Sequence, residues 1–131
     1  VVIGAKLAEV PPGVINPGAV DADTLRHLFL SSDLVVAPGR CDPFPTFLME
    51  AMNYGVPCIV SAQDGMPEIV DDGLNGRVLA QPNPDNLARE LVALLRQPTQ
   101  LRALSHQARH KINTQLNWPQ IAQTIAQVMG Q

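Results

Sequence analysis

DLVVAPGRCDPFPTFLMEAMNYGVPCIVS, residues 33–61, decides the fold. Leu34–Ala37 is a short apolar run stopped by Pro38 and Gly39. Phe47–Tyr54 reads as a helix, and Gly55 suits the left-handed residue that commonly ends one. Val56–Ser61 is a second apolar run. Neither run alternates with polar residues, so each predicts a strand buried on both faces. A helix between two such strands predicts a right-handed parallel crossover. The expected class is therefore α/β, a doubly wound, Rossmann-like parallel sheet.

The flanks fit this pattern. Val1–Gly4 reads as a buried strand ending in glycine, followed by a loop with a short strand near Val14 and Ile15. Leu25, Leu28 and Phe29 have helical spacing, and Asp21 or Asp23 can cap that helix. Beyond Ser61 comes a turn-rich stretch with a helical turn at Pro67–Val70, then a last short strand, RVLA, at residues 77–80. Three helices are expected in residues 83–97, 98–112 and 117–129, the last with Pro119 in its first turn. Residues 114–131 form the closing segment, and Trp118 is expected to anchor it to the core.

Composition excludes several functions. The 131 residues are 46% hydrophobic, which fits one packed domain rather than disorder. No apolar run approaches the roughly 18 residues that would span a bilayer. A net charge of −3 with nine basic residues argues against a nucleic-acid binder. Arg89, Arg96, Arg102, Arg109 and Lys111 read as a solvated helix face; peripheral contact with an anionic membrane is the other reading. The start lacks a basic leader and a methionine, which suggests a cut or processed end. Cys41 and Cys58 read as reduced cytosolic thiols, although a disulfide between them also fits. His106 and His110 share a helix face but lack a third ligand, so no metal site is expected.

The chemistry concentrates between Pro38 and Glu50. In an open parallel sheet, ligands bind beyond the carboxyl ends of strands and beside helix N-termini. The Pro38–Thr46 loop occupies such a place, and N–H groups around Thr46–Leu48 would face an anion. Asp42 and Glu50 add two carboxylates separated by seven residues, suited to sugar hydroxyls on either side of a phosphate. Structural readings stand beside this one. Asp42 also suits an Asx turn, and Glu50 also suits a buried acid bonded to backbone.

Residues 38–79 resemble the donor-binding half of retaining, nucleotide-sugar-dependent glycosyltransferases of the GT-B fold, the group 1 or family 4-like enzymes. The resemblance runs through Asp42, Glu50, Ala51-Met52, Gly55-Val56-Pro57, Gly65, Pro67-Glu68-Ile69-Val70, Asp72-Gly73 and Gly76. It implies that Glu50 binds ribose hydroxyls and that Asp42 contacts the transferred sugar as the catalytic acid of the set. Phe44, Pro45, Thr46 and Phe47 would approach sugar and diphosphate, while Gly65 and Glu68 shape the neighbouring loop. It implies a hexosyltransferase with a nucleotide sugar as substrate and no cofactor. The setting would be cytoplasmic, at or near the inner face of the membrane, in cell-envelope or polysaccharide biosynthesis. An acceptor sugar, lipid or polysaccharide would bind an N-terminal domain that these residues do not include.

Three positions depart from the family pattern. Asp42 replaces the commoner glutamate, Pro45 stands where glycine is common, and Asp64 replaces the first of two usual glycines. The Arg and Lys that usually assist the leaving diphosphate belong to a region before Val1, and Lys6 does not match them. In a sheet of order 3-2-1-4-5-6, the strand between VVIG and DLVVA would be missing, leaving a gap. A non-catalytic module from a truncated or split glycosyltransferase is the alternative, and an inactive isolated chain is expected. A sugar-nucleotide epimerase ranks below both.

Overall fold

The computed structural model describes residues 1–130, in two compact units, Val1–Ser31 and the chain from Ser32 onward. In the first unit, helix α1 (Ala22–Leu30) starts where Asp21 Oδ1 accepts the Thr24 N–H at 2.8 Å. That bond satisfies one of the four N–H groups a helix start leaves open. It also holds the Asp21 carboxyl below its ordinary range.

The expected buried strand at Val1–Gly4 does not form. Val1 is 63% exposed, and the segment makes a single bridge, Ile3 to Gly18. Its backbone is satisfied locally. Val2 N–H donates to Ile15 O and Gly4 N–H to Gly18 O. The Asn16 side chain accepts from Leu7 N–H and donates to the carbonyls of Val2 and Ala5. An apolar run needs neighbours on both sides to become a buried strand, and here two loop carbonyls and one amide side chain supply the partners instead. No strand forms at Val14 and Ile15 either.

The second unit holds the sheet. Strands β1 (Val35–Ala37), β2 (Cys58–Ser61) and β3 (Gly76–Leu79) are parallel and lie in that order. Val35 stands opposite Cys58, and Cys58 opposite Gly76. Each strand is bonded to its successor in the chain.

All four residues of β2 are buried, as its unbroken apolar pattern predicts. Successive side chains point to opposite faces. The Cys58 thiol lies against helix α2 (Thr46–Asn53), 4.0 Å from Leu48 O. Ile59 packs with Leu79, with Leu94 of α4 (Pro84–Leu95) and with Leu104 of α5 (Pro98–Thr114). Helices therefore cover both faces. Each fully buried aliphatic side chain of this core contributes about 1.5–3 kcal/mol.

Burial pushes the Cys58 thiol up to about 12. Both cysteines are free thiols. An aromatic disulfide reagent at pH 8 should therefore label one thiol per native chain, Cys41, and two after unfolding in urea. Labelling of both thiols in the native chain would contradict the burial.

The last helix, α6 (Trp118–Met129), is capped by Asn117 but has no buried residue. Trp118 is 82% exposed, so it does not anchor the helix to the core. Its stripe of Trp118, Ile121, Ile125 and Val128 faces water. Gln131, the end of the expected closing segment, lies outside the described residues. No helix among the described residues is long and apolar enough to cross a membrane.

Candidate functional site

Two loops meet at the carboxyl ends of β1 and β2. The first, residues 38–45, leads into α2. The second, residues 62–65, leads into the short helix α3 (Met66–Ile69). Ser61, the last residue of β2, donates its hydroxyl to Gly39 O and so ties the first loop to the sheet. Asp42 N–H donates to Asp64 Oδ2 at 3.0 Å across the two loops. A Cβ on Gly65 would run into the Pro43 carbonyl, so glycine is what allows the loops to touch. An open groove of about 490 Å³ lies at the same end of the sheet. It is lined by Arg40, Gln63 and residues 80–83, which follow the three strands in turn.

Helix α2 begins at Pro45, which offers no side-chain cap. The Leu48 N–H is taken by Pro45 O at 3.1 Å, so Leu48 is not among the open donors expected there. Thr46 and Phe47 supply the first N–H groups of the helix, and Pro45 has none to give. Phe44 and Phe47 are about two-fifths exposed.

Glu50 is an exposed residue of α2, while Leu48, Ala51 and Met52 turn inward. Its place in an apolar run is thus ordinary helical periodicity, and the reading as a buried acid is excluded. Its side chain makes no hydrogen bond or ion pair among the described residues, while its carbonyl accepts the Tyr54 N–H. The helix ends as expected. Gly55, at φ +76°, lets its own N–H reach Met52 O and the Val56 N–H reach Ala51 O.

Asp42 makes the Asx turn that its position before a proline suggested: its Oδ1 accepts the Phe44 N–H at 3.3 Å. Glu68 lies on α3 with its side chain exposed and its N–H on Gly65 O. The structure thus brings Asp42, Phe44 and Gly65 together and places Thr46 and Phe47 at the adjoining helix start. No hydrogen bond joins Asp42, Glu50 and Glu68 among the described residues.

Sequence reasoning missed two features. One is Lys111. It was grouped with the solvated cations of α5, but it is buried, and its Nζ donates to both Asp71 oxygens at 2.9 Å and to Glu68 O at 3.0 Å. Asp71 in turn is held by Asn75, itself 1% exposed, through the side-chain amide and through Asp71 N–H. This network fixes the end of α3 behind the second loop. Helical position would have hinted at it, since Lys111 follows Leu104 and Ala108 at core spacing. The other feature is Asp64, whose carboxylate accepts the Asp42 N–H. Its interaction with the Cys41 thiol and, least, the charge of Asp42 hold that thiol above its ordinary range. Cys41 is thereby a slow nucleophile at neutral pH, although its exposure leaves it open to reagents at higher pH.

Residues 4–111 match the family of glycosyl transferases group 1. The chain belongs to that family. It is 40% identical over 75 residues to an uncharacterized glycosyltransferase of Methanocaldococcus jannaschii, covering 57% of the chain and 19% of the relative. It is 31% identical over 96 residues to D-inositol 3-phosphate glycosyltransferase of Mycobacterium avium, covering 73% and 21%. Sucrose-phosphate synthase of Thermosynechococcus elongatus superposes with a TM-score of 0.78 at 26% identity, over 88% of the chain and 29% of that protein. HepE of Anabaena, solved in complex with UDP-glucose, is similar in fold at a TM-score of 0.76 and 22% identity, over 88% and 31%. The fold is the Rossmann-like, C-terminal domain of GT-B glycosyltransferases. This group 1 chain spans about a fifth of the length of these curated relatives.

Proposed function

We propose that the chain is the donor-binding portion of a retaining glycosyltransferase that uses a nucleotide-sugar donor. The observation that carries the reading is the pair of joined loops at the strand ends, with Asp42 in one and Glu50 on the helix it feeds. Glu50, its side chain exposed and unpartnered, accepts hydrogen bonds from the ribose hydroxyls. Asp42 contacts the transferred sugar. The N–H groups of Thr46 and Phe47, at the positive end of α2, face the diphosphate and stabilise the charge that develops as it leaves. Phe44 and Pro45 frame that approach, and Gly65 and Glu68 hold the opposite wall. At the level of fold, HepE with UDP-glucose supports a donor of this class. The acceptor belongs to a part of the enzyme outside these residues, and the setting is cytoplasmic, at or near the membrane.

Glu50→Ala should lower nucleotide-sugar affinity or turnover by more than about tenfold, since hydrogen bonds to a carboxylate contribute about 1.5–3 kcal/mol. UDP-glucose is the first probe donor. Unchanged kinetics would remove Glu50 from the site.

The short span of the chain against its relatives favours a second reading for these residues alone: a non-catalytic module that binds nucleotide sugar or serves in assembly. Sugar transfer by the purified chain would rule that out. Membership of the glycosyltransferase family leaves the epimerase reading without support.

A further inference from the structure

We propose that Asp64 is a positioning residue for the donor site. Its carboxylate sets the backbone at Asp42 and thereby the aim of the Asp42 side chain. The proposal rests on the reading of the site given above.

Asp64 is the only residue other than glycine with positive φ among the described residues, at +46°. A side chain in that region costs free energy that glycine would avoid, and aspartate is among the few residues that visit it. Such strain persists where the surroundings hold the residue in place. What Asp64 gains there is reach. Oδ2 accepts the Asp42 N–H at 3.0 Å, between residues 22 apart in the chain.

Asp42 is then held twice. Its N–H is fixed by Asp64, and its Oδ1 is occupied by the Phe44 N–H at 3.3 Å. Oδ2 of Asp42 takes part in neither bond. The close approach of Gly65 to the Pro43 carbonyl sets the depth of the same junction from the other side of Asp64. A glycine at position 64 would relax the backbone but leave the Asp42 N–H to water. The aspartate converts two adjacent loops into one frame around the carboxylate.

Asp64→Gly and Asp64→Asn test whether an accepting oxygen at position 64 holds the Asp42 amide. Glycine removes both the pinning oxygen and the strain, whereas asparagine tolerates positive φ and keeps an oxygen that can accept from Asp42. Hydrogen exchange of the ligand-free chain reads the pin directly. The Asp42 amide should exchange about fivefold faster or more in Asp64→Gly and close to the wild-type rate in Asp64→Asn. Melting temperature should be unchanged or raised in Asp64→Gly. Calorimetry with UDP-glucose should show affinity weaker by about three- to tenfold in Asp64→Gly, as expected for one hydrogen bond, with Asp64→Asn within about twofold of wild type.

An unchanged Asp42 exchange rate in Asp64→Gly overturns the pin whatever the ligand does. Faster exchange with unaltered UDP-glucose affinity, while Glu50→Ala weakens it, overturns the positioning role alone. If the unaltered chain holds no UDP-glucose, the donor-site reading fails and the role of Asp64 fails with it.

Discussion

Asp71→Ala should destabilise the protein by about 3–5 kcal/mol, far more than Lys111→Met. The asymmetry comes from where the two charges sit. The Lys111 side chain is 9% exposed, while that of Asp71 is 43% exposed. Removing Asp71 leaves an ammonium in the interior with only the Glu68 carbonyl to meet it. It also strips Asn75, which is fully enclosed, of its carboxylate partner. Removing Lys111 instead leaves a carboxylate that water already reaches, and methionine refills the space with apolar volume. That change should cost about 1–2 kcal/mol. In urea, the Asp71→Ala midpoint should fall by about 2 M, and the Lys111→Met midpoint by less than half as much. Equal losses would show that the pair behaves as a surface ion pair.

Gly65→Ala should carry the largest combined effect on stability and donor binding. Gly65 has φ −82° and ψ 0°, a conformation open to alanine, so the cost does not come from backbone preference. It comes from the Pro43 carbonyl, which occupies the space a Cβ needs. The obstructing atom is backbone in a proline flanked by Asp42 and Phe44, so no side-chain rotation relieves it. The loops must part, at about 1–3 kcal/mol. Parting them breaks the Asp42–Asp64 contact, and UDP-glucose affinity should fall by about tenfold or more. An alanine variant with native stability and affinity would show that the two loops are not held in register.

The elements that sequence identified well were those punctuated by proline and glycine. Pro38 stops β1 and Gly55 closes α2, because each fixes or frees φ in a way that needs no tertiary partner. The sheet core was legible for a similar reason: β2 is apolar throughout and lies between two other strands. VVIG failed because an apolar run states a preference for burial but not the presence of neighbours. Trp118 failed in the same way, from a residue type without a surface to receive it. Asp42 was legible as an Asx-turn former, a role that its own side chain and the next two residues decide. Lys111 and Asp64 were not, because their meaning lies in partners 40 and 22 residues away in the chain. A cation two residues after Arg109, and an aspartate where glycine is usual, look ordinary or defective until those partners are in place.

The exposure of Trp118 also governs how the molecule can be watched. It is the sole tryptophan of the chain, and it is already bathed in water when the core is intact. Its emission will change little as the sheet melts, so unfolding of the Asp71 and Gly65 variants is better followed by circular dichroism. The indole is an optical gauge of a different event: anything that comes to cover α6 will shift its fluorescence to the blue while the core stays silent.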